Sequence, residues 1–283
     1  MGMRVGLVAV AVLAAVTAVG CDDGTGVRVV VRGTPPATPY AGPLHVPTRD
    51  ADGSGPRALR EASGAAGRAL ECDGEIYAGG GPDGWSRADG GDTPEDGLKL
   101  YFELFEPGLP GHGYRAERAE AGRVLYSFDV HGRTKVAVVV AKDQPGRPGW
   151  GPETNASCDP AELPARYTEA AGVEVWTDRD GGRVPVRKLS GRPGPEHCDW
   201  QSARFLDLDG RTYARDPEGV LARDGLLRAP YREHASLPET ARDTGYHYRG
   251  LRLWLTPARD TAYIRTATGT EAWPRTKSRI ACK

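Results

Sequence analysis

Phenylalanine and methionine are scarce in this sequence, at four and two among 283 residues. Its cores must therefore be built from Val, Leu, Ala, Tyr and Trp. Signatures of chemistry are scarcer still. No Gly-x-Ser-x-Gly elbow occurs, so an α/β-hydrolase serine is not signalled. There is no P-loop, and no dinucleotide fingerprint follows a strand. Beyond Cys21, the cysteines Cys72, Cys158, Cys198 and Cys282 lie too far apart for Cys-x-x-Cys redox or zinc chemistry. The histidines, His45, His112, His131, His197, His234 and His247, include no pair at the i, i+4 spacing of a zinc-hydrolase helix. A charge excess is lacking too. With 37 basic and 38 acidic residues the net charge is −1, which gives no general attraction to nucleic acid or anionic surfaces. Neither a cofactor nor a metal nor a nucleic-acid partner is expected, and no catalytic residue is assigned.

What is present begins at the N-terminus. Arg4 supplies a positive start, and Val5 to Gly20 form an uncharged apolar run of 16 residues. That run is short of the ~20 residues a helix needs to remain in the bilayer. It ends in Ala18-Val19-Gly20-Cys21, a small-residue cleavage site before a cysteine, and reads as a lipoprotein signal peptide over 1–20. Ala18 stands where Leu is commoner. Lipid attachment at Cys21 leaves four further cysteines, an even number that suits pairing in an oxidising compartment. The expected location is the outer face of the cytoplasmic membrane.

Residues 21–56 are dominated by Gly, Pro, Thr and Asp and read as a flexible tether, with the alternative that Val27–Val31 docks as an edge strand. Two folded units are expected after it. The first, 57–165, should contain a short helix leading to Cys72. A clearer helix should begin at Thr93, with Pro94 at its first position and Asp96 closing a capping box. Leu98, Tyr101, Phe102 and Phe105 recur on its inner face. A hairpin turning at His131-Gly132 follows, its second strand rich enough in Val and Ala to be central. The stretch 144–153 reads as a Pro/Gly-rich excursion. The second unit, 170–283, should be richer in strands. Hairpins are expected at Asp180-Gly181 and Asp209-Gly210, a three-stranded meander over 251–275, and a short helix over 235–245 stopped by Gly245. The fold class is therefore α+β: two small disulfide-stapled domains of antiparallel hairpins with a few short helices, the second more β-rich.

Four cysteines allow three connectivities. The pairing Cys72–Cys158 with Cys198–Cys282 keeps each bridge inside one unit, and the similar spans hint at a duplication. Several patterns resemble motifs and fail on context. Leu237 to Ala241 spells a sortase pentapeptide, but no apolar span and basic tail follow it. Asp207 to Gly210 and Asp178 to Gly181 look like calcium loops, yet put Phe205 and Trp176 at the first ligand position. His247, near Asp243 and Glu239, is the histidine most open to a role. Trp85 and Trp150 lie in Gly/Pro-rich stretches, where an exposed ring could stack on a sugar or peptide.

The segments His197 to Gln201, Tyr213 to Leu221 and Thr244 to Pro257 resemble those of actinobacterial secreted lipoproteins to which no chemistry is assigned. The resemblance implies location and architecture and carries no catalytic residue. The reading that follows is a lipid-anchored extracytoplasmic binding or interaction module of the cell envelope. Its partners would be the membrane, through the lipid on Cys21, and an envelope protein, peptide or glycan. The rival is an envelope hydrolase using carboxylates or His247, and a transport substrate-binding protein is the third reading.

Overall fold

The computed structural model describes residues 30–31, 38–48, 56–78, 85–106, 108–109 and 111–277. The signal peptide, Cys21 and Cys282 lie outside them. The fold is dominated by three sheets that are almost wholly antiparallel, with few helices.

The first sheet has the order β1-β3-β4-β5-β6-β2, where β1 is Val30–Val31, β2 Ile76–Ala78, β3 His112–Glu120, β4 Arg123–Val130, β5 Arg133–Gln144 and β6 Arg147–Cys158. Only β1 on β3 pairs in parallel. The β4–β5 hairpin turns at His131 (φ 52°) and Gly132 (φ 75°), the two positive values that match the strands' right-handed twist. Because side chains alternate along a strand, the Val/Ala run of β5 serves two cores. Val136, Val138 and Val140 join Tyr126 and Phe128 of β4 under helix α3 (Pro94–Phe105). Ala137 and Val139 join Leu125 on the opposite face, beneath α2 (Gly64–Ala69). A central strand covered on both sides is what that composition predicts.

Helix α3 follows its sequence signals. The Asp96 amide donates to Thr93 Oγ1 at 3.2 Å and the Thr93 amide donates to Asp96 Oδ2 at 2.9 Å, so both halves of the capping box are formed. Leu98, Tyr101 and Phe102 are buried against the sheet, with Phe105 beside them. The expected helix before Cys72 is split into α1 (Pro56–Ala62) and α2, broken where Gly64 takes φ 54°.

The second sheet has the order β10-β9-β8-β7, built from β7 Glu174–Val175, β8 Leu189–Pro193, β9 Arg204–Leu208 and β10 Arg211–Arg215. The third is the meander β11 Arg242–Tyr248, β12 Leu251–Leu255, β13 Thr261–Arg265 and β14 Thr270–Pro274. These two sheets share a core of Trp176, Leu189, Leu206, Leu208, Tyr213, Leu253, Ile264 and Trp273. Phe205 points the other way, into a smaller cluster with Trp200, Leu221 and Leu227 near α5 (Val220–Arg223). Between β6 and β7 lies a further short helix, α4 (Ala165–Ala170).

Four expectations are corrected. The stretch 144–153, expected as an excursion, forms most of β6. The prolines of β6, Pro148 and Pro152, are tolerated because β2 pairs β6 only at 156–158, and the one further bridge on that side, among the described residues, falls at Trp150 with Gly91. The segment 235–245 is not helical. It is irregular to Ala241 and then enters β11, because β12 offers backbone partners and Gly245 (φ 80°) fits the bulge between Asp243 and His247. At Asp180-Gly181 the turn forms, with the Asp178 carboxylate accepting from the Asp180 and Gly182 amides. It is closed by a single Thr177–Arg183 bridge rather than by long strands. Residues 38–48, assigned to the tether, lie on the first sheet. Leu44 is 1% exposed among the α2 alanines, and the Tyr40 and Leu44 amides donate to Glu117 and Glu120 of β3.

Candidate functional site

A charged cleft of about 410 Å³ opens where α4, the second sheet and the end of β11 meet. Its geometry starts from one missing side chain. Gly191 on β8 pairs with Glu174 on β7, and a Cβ at 191 would stand 2.0 Å from Glu174 Oε2. The absence of that Cβ lets the Glu174 carboxyl lie across β8 and pair with Arg204, the first residue of β9. Burial pushes the Glu174 carboxyl up, against the opposing pull of Arg204.

Arg204 faces Arg215 directly across the β9–β10 pair, an arrangement of like charges that is destabilising alone. Each guanidinium has its own carboxylate: Arg204 has Glu174, and Arg215 Nε donates to Glu271 Oε2 at 3.0 Å. The back wall is Tyr248, whose ring stacks on buried Trp176 at 5.9 Å. The Arg204 and Arg249 guanidinium carbons sit 5.8 and 5.5 Å from its centroid. Burial also raises the Tyr248 phenol. Arg249 adopts φ 45° in the Arg249-Gly250 turn, and its guanidinium pairs with Glu169 of α4.

The cleft is therefore a set of interlocked ion pairs around one aromatic ring, with Gln201 and Ser202 on its rim. Among the described residues its two carboxylates are both engaged by arginines, and no histidine lines it. That arrangement suits recognition of a charged, polar ligand by exchange of ion-pair partners.

The residues singled out from sequence fall elsewhere. Cys72 and Cys158 are bonded, with Cα atoms 5.3 Å apart. Cys198 is also disulfide-bonded, to a cysteine outside the described residues. Trp85 is buried at 4% exposure, its Nε1 donating to the Pro152 carbonyl at 3.1 Å, with the ring laid on Gly151. Trp150 is half-buried against the α3 core. Trp85 is packed rather than open, because Gly151, which suggested an open loop, is where its indole lies. His247 is exposed on β11, and the Asp243 carboxylate accepts from the Gly245 amide instead of orienting it. Among the described residues no three His, Cys, Asp or Glu side chains group as a metal site, and no helix is long and apolar enough to cross a membrane.

Glu169, Glu174, Arg204, Tyr248 and Arg249 were not legible in advance, since their pairing spans up to 80 residues. One signal existed. Each of the three C-terminal segments that carry the resemblance contributes to this cleft, through Gln201, Arg215, and Tyr248 with Arg249. Comparison with known proteins finds no matching family model, no similar curated protein and no similar solved structure.

Proposed function

We propose that the chain is a lipid-anchored extracytoplasmic binding or interaction module of the cell envelope. It would be organised as two disulfide-stapled domains, 57–165 and 170–283, the second more β-rich. The observation that carries the reading is Cys21 placed directly after an uncharged run of 16 residues with a basic start. Support comes from the cysteines that remain. Cys72 and Cys158 are joined and Cys198 is oxidised, as an extracytoplasmic location favours. If Cys21 carries lipid, Cys282 is the remaining partner for Cys198. The charged cleft around Tyr248 supports binding over catalysis, because its ionic groups are paired with one another and await competition from a ligand.

The test is fractionation of cells producing the full chain or its Cys21→Ala variant. The wild type should stay with membranes until detergent is added, and the variant should not be lipid-retained. A wild type released by salt alone, or a variant held equally well after signal removal, contradicts the anchor.

A further inference from the structure

A second cavity, of about 280 Å³, opens beside the C-terminus of α3, lined by Tyr77, Tyr101, Glu106, Leu109, Leu163 and Tyr167 among others. We infer that it binds an organic ammonium group, an alkylamine or a quaternary ammonium head, between the Glu106 carboxylate and the surrounding phenol rings.

The argument begins with Glu106 itself. It is the C-cap of α3, its amide donating to the Phe102 carbonyl at 3.1 Å. A helix C-terminus carries partial negative charge and favours a cation, yet the last turn of α3 has no basic residue and ends in a carboxylate. Burial raises the Glu106 carboxyl, and among the described residues no ion pair offsets it. Placement at the negative helix end and withdrawal from water both oppose folding stability. A bound cation would relieve both, drawing on the carboxylate and the negative end of the helix together.

The walls select the kind of cation. Tyr77, Tyr101 and Tyr167 supply aromatic surface of the sort that attracts ammonium groups. Two of these rings are fixed before any ligand arrives. Tyr167 and Tyr114 share a hydroxyl–hydroxyl hydrogen bond at 3.1 Å, and the Tyr77 hydroxyl donates to Asp159 Oδ2 at 3.3 Å. Among the described residues no lysine or arginine lines the cavity, which disfavours an anion. A divalent metal would want six or more oxygen ligands, whereas Glu106 is the one carboxylate among the described lining residues. The volume suits one small head group or one amine-bearing side chain.

The inference deepens the binding reading and rests on it only in taking recognition as the function. Its test needs no membrane, so its failure and a failure of the anchor are separate results. Calorimetric titration of the purified mature chain would use n-butylammonium, choline, and 3,3-dimethylbutan-1-ol as the uncharged analogue of choline. At least one ammonium should saturate with a Kd on the order of 1 mM. The uncharged analogue should bind at least about tenfold more weakly, and Glu106→Gln should cost at least about tenfold for the ammonium that binds. The control Glu103→Gln, exposed on the same helix and 3.9 Å from Lys99, should leave the affinity unchanged. The proposal is overturned if neither ammonium saturates by about 50 mM, if the uncharged analogue binds as tightly, or if Glu106→Gln binds as the wild type does. Should Glu106→Gln fail to fold, the comparison of choline with its analogue on the wild type decides alone.

Discussion

Replacing Cys72 and Cys158 together by alanine removes a cross-link between residues 86 apart in sequence. The bridge ties the chain after α2 to the last residue of β6, where Cys158 pairs with Ile76 and is fully buried. In the chain-entropy account a closed loop of this length restricts the unfolded state by roughly 4.5 kcal/mol at 25 °C. Loss of the buried sulfur atoms adds up to about 1 kcal/mol in the native state. Strain and residual unfolded structure work the other way, so a net loss of about 3–5 kcal/mol is expected. Alanine is preferred to serine, because a hydroxyl at the buried 158 position would add its own desolvation cost. The variant is preferred to a reductant, which would also open the disulfide at Cys198. Urea unfolding with a slope of about 3 kcal/mol per molar should then show a midpoint lower by about 1–1.7 M. The slope itself should rise, since an unlinked unfolded chain exposes more surface. Hydrogen exchange should accelerate in peptides from 123–158 and much less in those from 251–274, if the two proposed domains are stabilised separately. A midpoint shift under about 0.3 M, or an unchanged slope, refutes the reasoning that the bridge acts through the unfolded state.

Three further outcomes follow from particular contacts. Gly191→Ala should destabilise by about 1 kcal/mol, although glycine to alanine in a strand is usually stabilising, because the new Cβ displaces Glu174 from Arg204; in a Glu174→Ala background the same change should become neutral or favourable in thermal melts. Thr93→Ala removes one side of the α3 capping box and should cost about 1 kcal/mol, seen as a fall in Tm of about 2–4 °C, while an unchanged Tm would show that α3 is held by packing alone. Glu106→Gln should stabilise the protein at pH 7 by about 0.3–1 kcal/mol by removing an anion from a helix C-terminus. The Glu106 carboxyl is raised in the fold, so its ionisation cost is present above the folded value and gone below the ordinary carboxylate range. The advantage of the variant should therefore shrink on acidification, and an advantage that grows would contradict the placement.

What could be read from the chain alone follows from how far each signal reaches. Helix α3 was legible because Thr93, Pro94 and Asp96 specify its start within four residues and its apolar face repeats locally. The turns at His131-Gly132 and Asp209-Gly210 were legible for the same reason: two adjacent positive φ values demand such pairs. Strands β6 and β11 were not. Their prolines, glycines and polar residues argue locally for loop or helix, and the partners β5 and β12 decide otherwise. Trp85 misled because Gly151, which looked like a mark of an open loop, is the surface on which the indole lies. The cleft depends on Gly191 leaving room for a side chain from a neighbouring strand and on ion pairs between distant residues, and no periodicity encodes either.

The most direct measurement of the central claim is the intact mass and non-reducing peptide map of the protein extracted from its native membrane. The account predicts a chain beginning at a diacylated Cys21, with Cys72 joined to Cys158 and Cys198 joined to Cys282. An unmodified Cys21, or free thiols at the other four positions, contradicts the lipid-anchored extracytoplasmic reading.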